Sequence, residues 1–127
     1  VVDANIILSA LLGGSARFIL FRGEFEFVTT DFTIGEVRKY LDVVVAKSGV
    51  SKKEIIRALS LLPVEVYPSS FYRTHFKKAK ELIDSIDPKD TDILALALKL
   101  NNYLWSEDQH FEKIQDQIKL LKTDSLV

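Results

Sequence analysis

Apolar and polar residues follow one another along the chain in blocks that predict strands separated by helices. Strand-like runs occupy residues 1–2, 25–29, 64–66, 103–105 and 118–121. Between them lie segments whose apolar residues recur every three or four positions, as on one face of a helix. Strands that alternate with helices favour parallel pairing with right-handed crossovers. The expected fold is therefore a three-layer α/β/α arrangement around an open, mostly parallel sheet of about five strands.

Several helices can be read from capping signals and from apolar periodicity. Ser51 and Glu54 form a capping box at the start of a helix. Ser15 can cap a short helix that runs through Phe21. Residues 30–48 carry an unbroken apolar stripe, which predicts one continuous helix that starts at Thr30 or Asp31 and ends at Ser48-Gly49.

Residues 87–111 form the most informative stretch of the sequence. Asp87 can cap the free N–H groups of a helix, and Pro88 suits its first position. Every residue of 93–100 except Lys99 is apolar, so we expect a helix that is covered on most of its circumference. The predicted strand 103–105 follows, and the chain turns polar as soon as that strand ends.

Composition narrows the class of protein. The chain has 127 residues, of which 47% are hydrophobic, enough for a single domain over residues 1–127 with a core of its own. Its formal charge of -1 provides no overall positive field that would attract nucleic acid. The lack of cysteine excludes disulfides and thiolate zinc sites, and it fits a reducing cytoplasm.

The chain shows no pattern typical of membrane insertion or export. No apolar run approaches the roughly eighteen residues of a membrane span, so no membrane association is expected. No signal peptide is visible, because the sequence opens directly on VVDAN. Since it contains no methionine, we expect the native start to lie upstream of Val1.

Four acidic residues fall where the predicted strands end. Asp3 leaves the first strand, Glu36 lies on the second turn of the helix after the next one, Asp90 begins the buried helix, and Asp108 follows the 103–105 strand. In open α/β sheets the reactive groups gather beyond the carboxyl ends of the strands. Crowded carboxylates repel one another unless a cation neutralises them. Oxygen ligands of this kind suit Mg²⁺ or Mn²⁺, which assist the attack of water on a phosphodiester.

Each acid also has an ordinary structural explanation. Asp3 and Asp108 can cap the helices that follow them, Asp90 can favour a helix start, and Glu36 can be a solvated helix residue. Taken singly, these explanations are preferable, but four acids at one end of a sheet are harder to explain in this way. The neighbouring acids are weaker candidates. Asp92 lies about 200° around the helix from Asp90 and should point away, and Asp87 is most simply the helix cap, with at most a peripheral part in the site.

Four blocks of the sequence match a known family in order and spacing. VVDANIILSALL, the Glu36 helix, DPKDTDILALAL and WSEDQHF resemble the PIN domain family of metal-dependent nucleases, which includes VapC-like ribonucleases. The resemblance covers essentially the whole chain. It implies that the acidic quartet of the family falls on the four acids above, with Asn5 and Ser106 as polar supporting residues. At the position two residues after Asp108, where the family usually carries a further acid, this chain has His110.

The resemblance implies a Mg²⁺- or Mn²⁺-dependent ribonuclease that acts on single-stranded or structured RNA. Such a protein is often the toxin of a toxin–antitoxin pair, with an antitoxin as its partner, and often a homodimer. The Glu36 and Glu54 helices carry more apolar positions than one sheet face needs, which also favours a dimer. His110 predicts one firm metal position and a second that forms only when substrate phosphate supplies oxygens.

Three hypotheses follow from these observations. The first is a single-domain endoribonuclease in which Asp3, Asp90 and Asp108 hold the metal and Glu36 binds it or orients the attacking water. The second, suggested by His110, is a catalytically weak PIN-like scaffold that binds RNA or protein. The third is a phosphoacceptor switch, which is disfavoured because no lysine leaves the last strand toward the site in the way expected of a receiver domain. Metal titration followed by a cleavage assay separates the three.

Overall fold

The sheet is built from two pairs of parallel strands. In the computed structural model, which describes residues 1–127, β1 (Phe27–Thr30) pairs with β2 (Val64–Tyr67). A second pair joins β3 (Leu104–Trp105) to β4 (Leu120–Leu121), again in parallel. All four strands are short, as the brief apolar runs predicted.

The N-terminal residues join the two pairs. Val2 donates its N–H to the carbonyl of Val28 in β1 at 2.8 Å, and it forms a parallel bridge with Trp105 in β3. The order across the sheet is therefore β2, β1, the Val2 segment, β3 and β4. This arrangement confirms the predicted parallel sheet of about five strands.

Helices connect the strands throughout. In chain order they are α1 (Ala4–Leu11), α2 (Ser15–Phe21), α3 (Asp31–Lys39), α4 (Leu41–Ser48), α5 (Lys52–Leu61), α6 (Ser69–Tyr72), α7 (Phe76–Ile83), α8 (Thr91–Leu100) and α9 (Gln109–Glu112). Short 3₁₀ turns lie at Arg73–His75, Pro88–Asp90 and Thr123–Ser125. None of these helices is by itself long and apolar enough to cross a membrane; α1 and α2 together pass on length and composition alone, with a 100° bend between them.

The predicted continuous helix 30–48 is two helices. It breaks at Tyr40, where the N–H donates to the carbonyl of Val37 at 3.0 Å and closes a tighter turn before α4 resumes. The apolar stripe did not reveal the break because Val37, Leu41 and Val44 enter the same core from both helices. Periodicity reports the buried side of a segment, and here that side continues through the bend.

The prediction that Ser15 caps α2 is wrong, because Ser15 is the first residue of the helix. Gly14 takes the cap position, with no side-chain hydrogen bond. The chain folds back so closely there that a Cβ on Gly14 would lie 2.6 Å from Oγ of Ser9. Glycine is therefore required by the close approach of α1 and α2, which a local capping rule cannot detect.

Two apolar clusters cover the two faces of the sheet. Neighbouring strand residues point to opposite sides, so Phe27 and Trp105 join one cluster while Val28 and Leu104 join the other. The first cluster is completed by α1 to α5, and the second by α6 to α9. The three-layer α/β/α architecture expected from the sequence is thus confirmed.

The carboxyl ends of the central strands meet at one edge. Asp3 follows Val2 and donates its N–H to the carbonyl of Trp105 at 3.1 Å. Ser106 follows β3 and donates its N–H to the carbonyl of Leu121 at 3.2 Å. The α3 helix starts directly after β1, with Thr30 as its side-chain cap. The predicted acids are therefore delivered to the same edge of the sheet.

Candidate functional site: an acidic groove

Asp3 is the most deeply placed acid of the groove. Its side chain is buried, with Oδ1 accepting the N–H of Ala4 at 2.8 Å and Oδ2 accepting the hydroxyl of Ser106 at 2.7 Å. Asp3 therefore caps α1 and at the same time faces the end of β3. Burial raises the pKa of the Asp3 carboxyl, while the hydrogen bond from Ser106 opposes that rise.

Ser106 connects Asp3 to the loop that carries Asp108. Besides donating to Asp3, its Oγ accepts the backbone N–H of Asp108 at 3.0 Å and the side-chain N–H of Asn5 at 3.4 Å. The other side-chain atom of Asn5, Oδ1, is buried and has no hydrogen-bond partner. Buried acceptors are rarely left unpaired, so this oxygen is an unsatisfied acceptor beside the acids of the groove.

Asp90 lies at the start of α8 and is 9% exposed. The turn before it is held by Asp87, whose Oδ1 accepts the N–H of Lys89 at 3.0 Å, with Pro88 in the first position of the 3₁₀ turn. Asp87 thus caps the 3₁₀ turn that leads into α8, whereas the α-helix itself begins at Thr91 with Asp90 at its N-cap position. Burial raises the pKa of Asp90 to about 7, and the neighbouring charges of Asp3 and Asp108 act in the same direction.

His110 lies among three carboxylates. Its Nδ1 is 2.9 Å from Oδ2 of Asp90, 3.3 Å from Oδ1 of Asp108 and 3.6 Å from Oδ2 of Asp87. The hydrogen bond with Asp90 raises the pKa of the His110 imidazole, which favours the protonated form with Nδ1 as donor. Asp87, Asp90 and His110 bring one potential ligand atom each to within 4.8 Å of one another.

The four predicted acids line a single groove of about 250 Å³, together with Asn5 and Asp87. Glu36 enters it from α3 and is ion-paired with Lys39, Oε1 to Nζ at 3.1 Å. Of the four predicted acids, only Asp90 belongs to the tighter group formed with Asp87 and His110, and the other three lie outside that group. Asp108 both faces the groove and caps α9, since its Oδ1 accepts the N–H of His110 at 2.9 Å. Capping and a place in the groove are thus combined in Asp3 and Asp108.

Two further acids lie beside the predicted four. Asp87 caps the turn, as predicted, and its other oxygen lies 3.6 Å from Nδ1 of His110, at the edge of the site. Asp92 is absent from the groove, as its helical position predicted, but it accepts the hydroxyl of Tyr72, which is fully buried. Burial raises the pKa of the Tyr72 phenol above its ordinary value, so the hydroxyl keeps its proton and donates it to Asp92.

Comparison with known proteins agrees with the fold and with the sequence blocks. Residues 1–124 match the sequence profile of the PIN domain. The chain belongs to the PIN domain family. The solved structure of VapBC-1 from nontypeable Haemophilus influenzae is similar to this PIN domain, with a TM-score of 0.64 and 24% identity over 95% of each chain. No curated protein sequence matches it.

Family membership confirms the resemblance of the four sequence blocks. In this PIN domain the acids at the ends of the strands converge on one groove, with Ser106 as the residue that connects two of them. Their assignment as ligands and catalytic groups stays a prediction. His110, which occupies the position where the family usually has an acid, lies within hydrogen-bonding distance of Asp90. It therefore changes the charge of the groove directly.

Proposed function

We propose that this PIN domain is an endoribonuclease dependent on Mg²⁺ or Mn²⁺, acting in the cytoplasm as the toxin of a toxin–antitoxin pair. Membership of the PIN family supports the nuclease class, and the likeness to VapBC-1 supports the antitoxin partner. One observation carries the site assignment. Asp3 and Asp90, two buried carboxyls with raised pKa values, face the same groove as Asp108 and Glu36.

The donor atoms of the groove fit a hard divalent cation. Clustered carboxylates are costly to ionise together, and a divalent ion removes that cost. Asn5 adds a neutral oxygen, Oδ1, that is buried without a partner. Carboxylate and amide oxygens are the ligands that Mg²⁺ and Mn²⁺ prefer, and cysteine is absent from the chain.

Each residue has a proposed part in the reaction. Asp3, Asp90 and Asp108 hold the ion, and Glu36 binds it or orients the attacking water. Ser106 orients Asp3 and the loop that carries Asp108 through its hydrogen bonds to both. Asn5 supports Ser106 by donating to its Oγ. A bound metal ion supplies a Lewis acid that activates water and neutralises charge on the phosphate.

His110 sets the charge of the groove before a metal enters. Its protonated ring donates to Asp90 and lies close to Asp87 and Asp108, so it provides part of the positive charge that the acids require. An imidazole is a poorer magnesium ligand than a carboxylate, and manganese accepts it more readily. The proposed enzyme therefore prefers manganese.

The test combines metal binding with cleavage. Mn²⁺ is titrated calorimetrically into the wild type, Asp3→Asn and a control, Asp116→Asn, which changes an exposed acid outside the groove. RNA cleavage is followed with Mn²⁺ and with a chelator. We expect binding and cleavage in the wild type and the control and loss of both in Asp3→Asn. Equal binding by all three proteins would mean that the site is misassigned.

The second candidate function is a PIN-like scaffold that binds RNA or protein without appreciable cleavage. It is favoured by His110, because an imidazolium among the acids can take the place of the ion. A scaffold binds RNA in the presence of a chelator and leaves it intact when manganese is added. A nuclease requires the metal and shortens the RNA.

A further inference from the structure

Two aromatic rings flank the acidic groove on the same helix. Phe32, Glu36 and Tyr40 are spaced four residues apart on α3 and its C-terminal cap, and all three line the groove. Residues at this spacing lie on one side of a helix. The side of α3 that faces the groove thus presents a ring, a carboxylate and a second ring in that order.

Both rings are accessible to solvent. Phe32 is 38% and Tyr40 is 47% exposed, although each is large enough to fill a core position. The aromatic pairs of the fold are Phe25 with Phe27, Phe27 with Trp105, and Tyr67 with Phe71, so neither groove ring stacks on another aromatic side chain. Their positions offer ring surface next to the carboxylates instead of internal packing.

We propose that Phe32 and Tyr40 form a stacking platform for unpaired bases of a single-stranded nucleic acid whose phosphate lies at the carboxylates between them. The proposal rests on the function proposed above and names two side chains, those of Phe32 and Tyr40, through which the RNA substrate is held. Unpaired bases are commonly recognised by stacking on aromatic side chains, and such contacts tolerate any base.

The spacing of the rings favours an unstacked strand. Eight residues of helix separate the two positions by about 12 Å along the axis, since each residue rises about 1.5 Å. Bases in a regular duplex follow one another at about 3.4 Å. Two bases on these rings therefore belong to a strand that is splayed open on either side of Glu36. Lys89, exposed on the wall of the groove, adds a positive charge for a neighbouring phosphate.

The alternation of groups argues for nucleic acid over an apolar peptide. Glu36 lies between the rings and keeps 15% of its side chain exposed, so an apolar segment that bridged both rings would have to cover a carboxylate. A nucleotide strand presents bases on either side of a charged phosphate, which matches the order ring, metal-binding acid, ring. Binding of a protein at the rings is an outcome that the test must detect.

The test measures RNA affinity in variants of the rings. Fluorescence anisotropy with a labelled single-stranded RNA and manganese is applied to Phe32→Ala, Tyr40→Ala and Tyr40→Phe, all in an Asp90→Asn background that prevents cleavage. Stacking predicts a loss of affinity of roughly fivefold to a hundredfold for each alanine variant and little change for Tyr40→Phe. Phe18→Ala and Tyr103→Ala are matched controls, since these rings are exposed outside the groove, and they should bind as the parent does.

An abasic oligonucleotide isolates the bases from the backbone. The platform predicts that the parent loses affinity for this probe and that the alanine substitutions cost nothing further. Equal losses on the abasic and the normal RNA would overturn the proposal, because the rings would then act on the backbone or on the fold. Melting temperatures are measured alongside, so that a loss of stability from the covered part of each ring is told apart from a loss of stacking.

The remaining outcomes separate this proposal from the nuclease function. If the alanine variants lose RNA affinity and the wild type never cleaves RNA, the platform stands and the nuclease assignment fails. If the wild type cleaves RNA and both alanine variants, in a background with Asp90 intact, cleave it with unchanged KM, the platform is wrong and the nuclease stands. An altered oligomeric mass, or lost binding of a protein partner with RNA affinity intact, would assign the rings to a protein interface and overturn the proposal.

Discussion

Nδ1 of His110 lies 2.9 Å from Oδ2 of Asp90, a carboxyl that is 9% exposed and whose pKa is raised to about 7. Burial raises the pKa of Asp90, and the hydrogen bond with Asp90 raises the pKa of His110, so each group holds its proton more firmly than usual. A divalent cation that binds to Asp90 has to compete with that proton and with the positive charge of the imidazolium. Several expectations about pH, metal preference and stability depend on this contact.

Metal affinity should rise with pH across about 6 to 8, because ligation requires Asp90 ionised and is opposed by protonated His110. Cleavage should fall below about pH 7 for the same reason. Calorimetric titration of Mn²⁺ in buffers of different ionisation enthalpy should show protons released on binding. An affinity independent of pH, with no proton release, would place Asp90 outside the metal site.

The metal-free protein should become less stable as pH rises from about 4 to about 7. Asp90 has a folded-state pKa of about 7 against an ordinary value near 4, so the folded state binds more protons throughout that window. The raised pKa of His110 acts in the same direction, since its contribution is present below the unfolded pKa and is lost as pH rises through the folded one. Thermal melts with a chelator measure this trend. Asp90→Asn should flatten it, and a rise in stability over the same window would contradict the assignment.

His110→Asp should strengthen Mg²⁺ binding and narrow the difference between manganese and magnesium. The change replaces a cation with a fourth carboxylate beside Asp87, Asp90 and Asp108, so the metal-free protein should melt at a lower temperature and gain more from added metal. Melting curves with chelator, Mg²⁺ and Mn²⁺ measure both effects. A variant that binds and cleaves as the wild type does with both metals would put His110 outside the metal shell.

Asp90→Asn and Asp92→Asn should differ sharply, although the residues are two apart. The first should abolish RNA cleavage and preserve the fold, since the amide is nearly isosteric but lacks the charge. The second should leave cleavage nearly unchanged, because residue 92 lies outside the groove and the oxygen of the new amide can still accept the hydroxyl of Tyr72. A gel cleavage assay with circular dichroism compares them, and equal losses of activity would mean that the α8 face is misassigned.

Tyr72→Phe tests the buried partner of Asp92. The change leaves a half-buried carboxylate without its donor, which should cost about 1–3 kcal/mol in the free energy of unfolding. Urea denaturation measures that cost. Mn²⁺ binding should be retained by the folded variant, and a loss of binding would show that the Tyr72 contact positions the groove.

The chain should form a two-fold dimer through α4, α5 and β2. These three elements follow one another in the chain, and each exposes large apolar side chains, namely those of Val43, Ile56, Leu61 and Val66. Leu61→Lys should shift the light-scattering mass toward the monomer, because it places a charge in the predicted interface, while Phe18→Lys on α2 should not. A wild type that stays monomeric at high concentration would contradict this prediction.

Local signals predicted much of the fold because their causes are local. Ser51 caps α5 by accepting the N–H of Glu54 at its Oγ, and Thr30 caps α3 by accepting the N–H of Thr33, each within three residues. The bend at Tyr40 and the close approach at Gly14 were missed, because they depend on what a helix packs against. Hydrophobic periodicity gives the buried side of a segment but not whether the segment is straight.

The sequence by itself determined that the acids following the strands share one edge of the sheet. Parallel strands end at a common edge, so residues just after the strands, such as Asp3 and Asp108, are brought together by the order of elements alone. Only the tertiary structure decided how they interact. The contact of His110 with Asp90, the unpartnered oxygen of Asn5 and the exposed rings of Phe32 and Tyr40 depend on sheet order and helix rotation. Those are set by packing between segments distant in the chain, for which local patterns carry no information.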